Sequence, residues 1–330
     1  MIRSRYLGPG RMFINNIRLC YHYSKNRLIL QMLNKIIYII IGFALAFVFF
    51  PRTSQDSLRA GIVSGSISNI SSNQVITAPE IATNITPPNL SAKAALVYDL
   101  GSGSILYSKN LDEKLPIASL TKLMTALIVA GHVGFEDIVS IRKNDQTIIG
   151  ASMGLMVGEK IQVQNLLRGM LISSSNDAAL ALANFTATTP EAFVQMMNDR
   201  AVSLGLTATK FANPIGWDSD DNYSNTLDLV KISQEFLKDP MLSEIVQTKE
   251  TVVASVDGKY VHKLLTTNKL LLENPEIRGI KTGFTSKALG NLMILSDYNN
   301  RQIITIVLGS QNREVDSQEL LNWTLRAYKW

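Results

Sequence analysis

Apolar residues recur at helical spacing just after Pro116. Leu120, Leu123, Met124, Leu127 and Ile128 fall at i, i+3, i+4, i+7 and i+8, the stripe of a helix buried on one side. Gly131 is its expected stop. Upstream, Ala94–Leu100 and Ile105–Ser108 flank Gly-Ser-Gly and predict a β-hairpin. Downstream, Val163, Leu166, Leu167, Met170 and Leu171 repeat the helical period. Ala178 to Ala183 follow as a second helical pattern whose small residues allow close packing. Phe193, Met197, Ala201 and Leu204 mark another amphipathic helix, closed by Gly205, and residues 227–237 and 241–246 also read as helical. The Asn213-Pro-Ile-Gly-Trp-Asp218 stretch between them is rich in turn formers. The pattern then changes: Ile277–Thr282, Asn291–Ser296 and Gln302–Gly309 are short β-type runs, and Asp316–Tyr328 is a last helix with Leu320, Leu321, Trp323 and Leu325 apolar. Strands at both ends with helices between them predict an α+β fold: an antiparallel sheet built from both ends of the domain, flanking helices and an inserted helical lobe.

Ahead of this domain the pattern is different again. Ile36 to Phe50 is uninterruptedly apolar. It is short of the ~20 residues that span a bilayer, but the preceding Leu28-Ile-Leu-Gln-Met-Leu lengthens it. Residues 1–35 hold seven of the 32 Lys+Arg and no acid. Positive charge before the run and almost none just after it place the N-terminus in the cytoplasm and the rest outside. The expected organisation is a basic cytoplasmic leader over 1–35, a transmembrane signal anchor over 36–50, a flexible linker rich in Ser, Thr, Asn and Pro over 51–90, and a catalytic domain over 91–330. A cleaved signal peptide is the rival reading of the apolar run, and Met32 is an alternative start.

Charge and composition narrow the function. The formal charge is +5, yet without the leader 25 basic residues face 27 acidic ones. The body is therefore no polyanion binder, and a nucleic-acid partner loses its support. Cys20, on the cytoplasmic side, is the sole cysteine. The exported part has neither disulfides nor thiol chemistry. His132 and His262 are its only histidines and stand in no metal-ligand spacing, which argues against a zinc site and a Ser-His-Asp triad. No cofactor is expected.

The remaining chemistry lies in Pro116-Ile-Ala-Ser119-Leu-Thr-Lys122. The helical stripe leaves Ser119 in the first turn, where unpaired N–H groups favour a developing anion. Lys122 shares its side. A lysine in reach of a serine hydroxyl can take its proton if its own is easily lost. Alone the pair is weak, since the same spacing recurs at Ser140 and Lys143. Ser174-Ser-Asn176 is equally weak alone, and Ser-x-Asn also occurs at Ser24, Ser71 and Ser310. Lys281-Thr-Gly283 occurs once, at the end of a strand. The ordered triple Ser-x-x-Lys, Ser-x-Asn, Lys-Thr-Gly is specific, and belongs to penicillin-binding proteins and class A β-lactamases.

Over about residues 90–328 the chain resembles the low-molecular-mass penicillin-binding proteins that act as serine-type D-alanyl-D-alanine carboxypeptidases. The likeness extends to Gly158–Ala179, to Phe211-Ala-Asn-Pro-Ile-Gly-Trp-Asp218, to the Thr-Asn-Lys-Leu-Leu stretch from Thr267, and to Val307-Leu-Gly-Ser310 with Arg313, Asp316 and the Leu320-Leu-Asn-Trp helix. It implies a β-lactamase/transpeptidase-like fold and hydrolysis of the terminal D-Ala-D-Ala bond of peptidoglycan stem peptides, with β-lactams as covalent inhibitors. It implies Ser119 as nucleophile, Lys122 as base, Ser174 as proton relay and Asn176 as the holder of Lys122 and the substrate amide. Lys281 and Thr282 would bind the terminal carboxylate with Arg313 as a second cation, and Gly283 would let the substrate lie close to its strand. The backbone N–H groups of Ser119 and Phe284 would form the oxyanion hole. For Lys122 to be a base, burial beside a second cation, for which Lys281 is the natural neighbour, must lower its pKa.

Three departures alter pocket shape without removing a reacting group: Ser175 and Leu289 where glycine is usual, and Trp217 where leucine is usual. The alternatives are a D,D-endopeptidase on the same scaffold, a class A-like β-lactamase, and a penicillin-sensing or scaffold domain. Against the lactamase, no glutamate between Asn176 and Lys281 has the surroundings of a deacylating loop.

Overall fold

Strands with continuous apolar runs need cover on both faces, and the central sheet has it. The computed structural model describes residues 77–82, 85–146 and 149–330. The leader, the apolar run at 36–50 and residues 51–76 of the tether lie outside them. The main elements are β1 (Ala94–Asp99), β2 (Ser104–Lys109), α1 (Lys122–His132), β3 (Ile138–Ser140), β4 (Lys160–Gln162), α2 (Val163–Ile172), α3 (Asn176–Thr186), α4 (Pro190–Ser203), α5 (Thr226–Leu237), α6 (Pro240–Gln247), β5 (Glu250–Ala254), β6 (Val261–Leu265), α7 (Lys269–Glu273), β7 (Ile277–Thr285), β8 (Leu289–Tyr298), β9 (Arg301–Ser310) and α8 (Arg313–Ala327).

The sheet is antiparallel, in the order β7-β8-β9-β1-β2. The first two strands therefore complete a sheet begun by the last three, and β7 is left at an edge. Side chains alternate across it. Ala94, Leu96, Met293, Leu295, Ile304 and Ile306 face the helical lobe. Ala95, Val97, Leu292, Ile294, Ile303 and Val307 face Leu320, Leu321 and Trp323 of α8. Inside the lobe, Leu123 and Met124 of α1 pack with Leu166, Leu167 and Met170 of α2, Ala178 and Leu182 of α3, and Phe193 and Phe236.

Several boundaries are set by capping that the sequence carries. Thr189 accepts from the Ala192 N–H with Pro190 as the first helical residue of α4. Asn225, Asp239 and Asn312 cap α5, α6 and α8. Three expectations change. The serine expected in the first turn of α1 lies in a separate 3-10 turn, Ala118–Thr121, ahead of it. Gly131 does not stop α1, because the His132 imidazole bonds the Ile128 carbonyl at 2.7 Å and carries the helix one residue further. Residues at the end of the expected linker are strapped to the body. Glu80–Ile81 pairs with Tyr328–Lys329, Trp323 Nε1 donates to the Ile85 carbonyl and Arg301 Nη2 to that of Thr77.

Candidate active site

Ser119 is displayed by a strained turn. Ala118 before it has φ 47° and Ser174, across the cleft, has φ 60°. For a side chain bearing a Cβ this conformation costs about 1–2 kcal/mol, and such strain concentrates at functional sites. Neighbours hold the turn. Asn291, buried, donates from Nδ2 to the Pro116 carbonyl at 3.0 Å. The loop 213–217 closes on it from the other side. Gly216 has φ +87°, and a Cβ on it would lie 2.0 Å from the Ala118 carbonyl oxygen and 2.9 Å from the Ser119 nitrogen. Asn213 Oδ1 shapes that loop by accepting from the backbone N–H groups of Ile215, Gly216 and Trp217.

Lys122 is fully buried. Its Nζ lies 3.0 Å from Ser119 Oγ, 2.7 Å from Asn176 Oδ1 and 2.7 Å from the Ile215 carbonyl oxygen. Two of these partners can only accept. The third, a hydroxyl, can also donate. A neutral amine has two N–H bonds and one lone pair. It satisfies the site by donating to Asn176 and Ile215 while turning its lone pair to the serine proton. The Asn176 amide is fixed in that sense because its Nδ2 donates to the Ile149 carbonyl at 3.0 Å. Burial, and next the charge of Lys281, hold the Lys122 pKa well below the usual lysine value, against a smaller opposing pull from Asp177.

Asn176 opens α3 after the N-cap residue Ser175, which follows the left-handed Ser174. Ser174 Oγ accepts from Lys281 Nζ at 2.8 Å, and Lys281 also donates to its neighbour's carbonyl, that of Thr282, at 3.1 Å. Burial first, and then the nearby Arg313 charge, lower the Lys281 pKa to about 7. The Thr282 hydroxyl bonds that of Thr267 at 2.5 Å. Gly283 lies where a Cβ would sit 2.9 Å from the Ile117 carbonyl oxygen and 3.2 Å from the Ser119 nitrogen, so its lack of a side chain lets β7 pass close to the serine.

Arg313 Nη1 donates to the Gly283 carbonyl at 2.9 Å, reaching it over Gly290, and Arg313 Nε bonds Glu314. A trans peptide points its C=O and N–H in opposite directions. With the Gly283 carbonyl turned to Arg313, the Phe284 N–H is turned the other way, off the edge of the sheet. Leu289, the first residue of β8, has φ 57°, a conformation that favours glycine.

All nine residues singled out from sequence come together here. Ser119, Ser174, Asn176, Thr282, Gly283, Phe284 and Arg313 line one cavity of about 330 Å³, and Lys122 and Lys281 are buried behind it through Ser119 and Ser174. Sequence reasoning missed the Ile215 carbonyl, Gly216 and the segment 149–151. It also missed Asp177, whose carboxylate accepts from Ser152 Oγ and from the N–H groups of Met153, Gly154 and Leu155. That clasp holds Ala151, whose carbonyl accepts the Asn176 N–H at 2.7 Å. Main-chain donors and acceptors carry no residue-type signature. Asp177 did carry one, a carboxylate in the first turn of a helix.

A family profile described as D-alanyl-D-alanine carboxypeptidase matches residues 81–312. The chain is 32% identical over 247 residues to the D-alanyl-D-alanine carboxypeptidase DacF of Bacillus subtilis, covering 72% of this chain and 63% of that protein. It is 33% identical over 259 residues to DacA of Escherichia coli K12, covering 73% and 62%. The chain thus spans somewhat less than two thirds of the length of these relatives. Among solved structures, the DD-transpeptidase of Streptomyces K15 superposes with a TM-score of 0.70 at 29% identity, covering 73% of this chain and 100% of that one.

Proposed function

The chain belongs to the D-alanyl-D-alanine carboxypeptidase family, and from that premise we propose that it hydrolyses the terminal D-Ala-D-Ala bond of peptidoglycan stem peptides through an ester on Ser119. The observation that carries this reading is the triple contact of Lys122 Nζ with Ser119, Asn176 and the Ile215 carbonyl.

Neutral Lys122 takes the Ser119 proton as Oγ attacks the carbonyl carbon. The oxyanion forms between the N–H groups of Ser119 and Phe284. As the intermediate collapses, the C–N bond breaks and Ser174, hydrogen-bonded to Lys281, gives its proton to the departing D-alanine amine and takes up the one that Lys122 removed from Ser119, which returns Lys122 to the neutral form. Lys122 then deprotonates the water that cleaves the ester and hands that proton to Ser119 Oγ as the ester bond breaks. Protonated Lys281 and Thr282 hold the terminal carboxylate, and Arg313 adds positive potential while fixing the strand. A β-lactam amide takes the place of the peptide bond and acylates the same oxygen.

The test is paired. A fluorescent penicillin should label the protein, and D-alanine should be released from a pentapeptide. Ser119→Ala should do neither. Destruction of the probe with no peptide turnover would indicate a β-lactamase, labelling with no turnover a sensor, and cleavage of cross-linked dimers alone an endopeptidase; each would overturn the reading.

Lys281 makes a further prediction. It is cationic below about pH 7 and loses its proton above. Capture of an anionic peptide by the free enzyme, read as kcat/KM, is therefore expected to fall as pH rises through that region. In Lys281→Arg, whose side chain stays charged, the alkaline limb should disappear. A limb unchanged in that variant would assign it to another group.

For location, we propose a catalytic domain outside the cytoplasm, tethered to the cell membrane by the N-terminal segment. The support is the apolar run at 36–50 behind a basic leader and the confinement of cysteine to position 20. Among the described residues no helix is long and apolar enough to cross a membrane, and the run itself lies outside them.

A further inference from the structure

Residues 149–151 form one wall of the active-site cavity, and the same wall holds Asn176. The Ala151 carbonyl accepts the Asn176 N–H at 2.7 Å, and the Ile149 carbonyl accepts from Asn176 Nδ2 at 3.0 Å. Between them Gly150 passes so close that a Cβ on it would lie 2.7 Å from that Nδ2. The wall therefore fixes which way the amide faces, and with it the Oδ1 that meets Lys122. Residues 149–159 belong to no helix or strand. Their backbone groups must be held by something else.

Asp177 supplies acceptors on one side. The other side is held by two buried side chains that take no part in the reaction. His262, on β6, and Glu159 are 6% and 2% exposed. His262 Nδ1 lies 2.9 Å from the Met153 carbonyl oxygen, and Nε2 lies 2.8 Å from Glu159 Oε1. Glu159 Oε2 accepts the Met156 N–H at 3.0 Å. A carbonyl only accepts, so Nδ1 carries a hydrogen. Nε2 and a carboxyl oxygen at that distance need one more proton between them. Without it two lone pairs would face each other away from water. The hairpin itself is anchored beside Glu159: Val253 and Leu264 enter the core, and the Val256 N–H donates to the Lys160 carbonyl at 2.7 Å.

We propose that His262 and Glu159, joined by a shared proton, are positioning residues that clamp the segment 153–156 and, through the wall at 149–151, hold Asn176 in the orientation Lys122 needs to reach Ser119. The inference rests on the reading of Ser119 as the nucleophile.

The test is the rate at which a fluorescent penicillin acylates Ser119, on samples shown to be folded by near-UV circular dichroism. Glu159→Gln can keep every bond of the clamp: its amide nitrogen donates to Nε2 of a neutral His262, and its oxygen accepts from Met156. It is expected to acylate within about threefold of the native rate, since no hydrogen bond is lost. Adding His262→Leu removes both imidazole bonds and leaves no buried charge behind. That step should slow acylation by roughly tenfold or more, the cost of a small misplacement of reacting groups. In an Asn176→Ala background the same step should cost less than about twofold, because the residue through which the clamp acts is gone. A general loosening of the fold would slow both backgrounds alike. Should the leucine variant fail to fold, Glu159→Gln with His262→Asn gives the same comparison, its shorter amide reaching at most one of the two partners. Acylation unchanged by the histidine substitution, a loss of equal size with and without Asn176, or Glu159→Gln as slow as the double variant would overturn the clamp and leave the carboxypeptidase reading standing. A native protein whose Ser119 takes up no penicillin would overturn both.

Discussion

Lys122→Ala is expected to lower the rate of Ser119 acylation by penicillin about a thousandfold, within the ~10²–10⁴ that a positioned proton acceptor supplies. Lys122→Arg is expected to do no better. The arginine restores a cation with several donors, so it could still bond Asn176 Oδ1 and the Ile215 carbonyl. Its guanidinium stays protonated at any working pH and has no lone pair for the serine proton. If the lysine served only to orient Ser119 or to add positive potential, arginine would recover much of the activity. The native geometry argues against that role. All three partners of Nζ lie within 3.0 Å, and burial next to Lys281 disfavours the charged form. Stopped-flow acylation at neutral pH, with near-UV circular dichroism to check folding, separates the two cases.

The second large effect is expected at a residue that has no side chain to titrate. Gly216→Ala should destabilise the protein by on the order of 3 kcal/mol, from backbone strain and overpacking together, and reduce acylation roughly a hundredfold, the cost of an ångström-scale misplacement. Its methyl group would meet the Ala118 carbonyl and the Ser119 nitrogen, all main chain and unable to swing aside. Relief requires the loop to move, and the loop carries the Ile215 carbonyl that Lys122 needs. Thermal denaturation and acylation kinetics on the same sample check both halves. A variant with native stability and native rate would show that the loop does not press on the turn.

The chemistry of this site was legible in the chain because reacting atoms reside in side chains whose types are few. Ser119, Lys122, Ser174, Asn176 and Lys281 could be named from an ordered set of short motifs, and the long strands and helices from their periods. What supports them was not legible. Ile215 contributes a carbonyl that any residue would have, and Gly216 matters for what it lacks. Ser119 was expected in the helix itself. The 3-10 turn that carries it depends on Asn291 and on Gly216, which are distant in sequence, and local periodicity has no access to such contacts.

The hairpin β5–β6 was overlooked although Asp257-Gly258 at its turn, with Gly258 at φ +71°, was an available signal. Its strands are short and half exposed, and among the described residues they pair only with each other. Ser175, noted as a departure, explains itself. It is fully buried, and its hydroxyl bonds Ser173 Oγ at 2.8 Å, so the extra atoms of a serine are accommodated within the turn.

The central claim is that the Lys122 amine is neutral when it meets the Ser119 proton. Its most direct test is a nitrogen-15 NMR titration of the lysine side chains, with Lys281→Arg used to separate the two buried amines. A Lys122 resonance already that of a neutral amine at pH 7.5, with a midpoint far below the ordinary lysine value, is the result predicted here. An ammonium signal at position 122 that persists above pH 9 in an enzyme still acylating at full rate would contradict it.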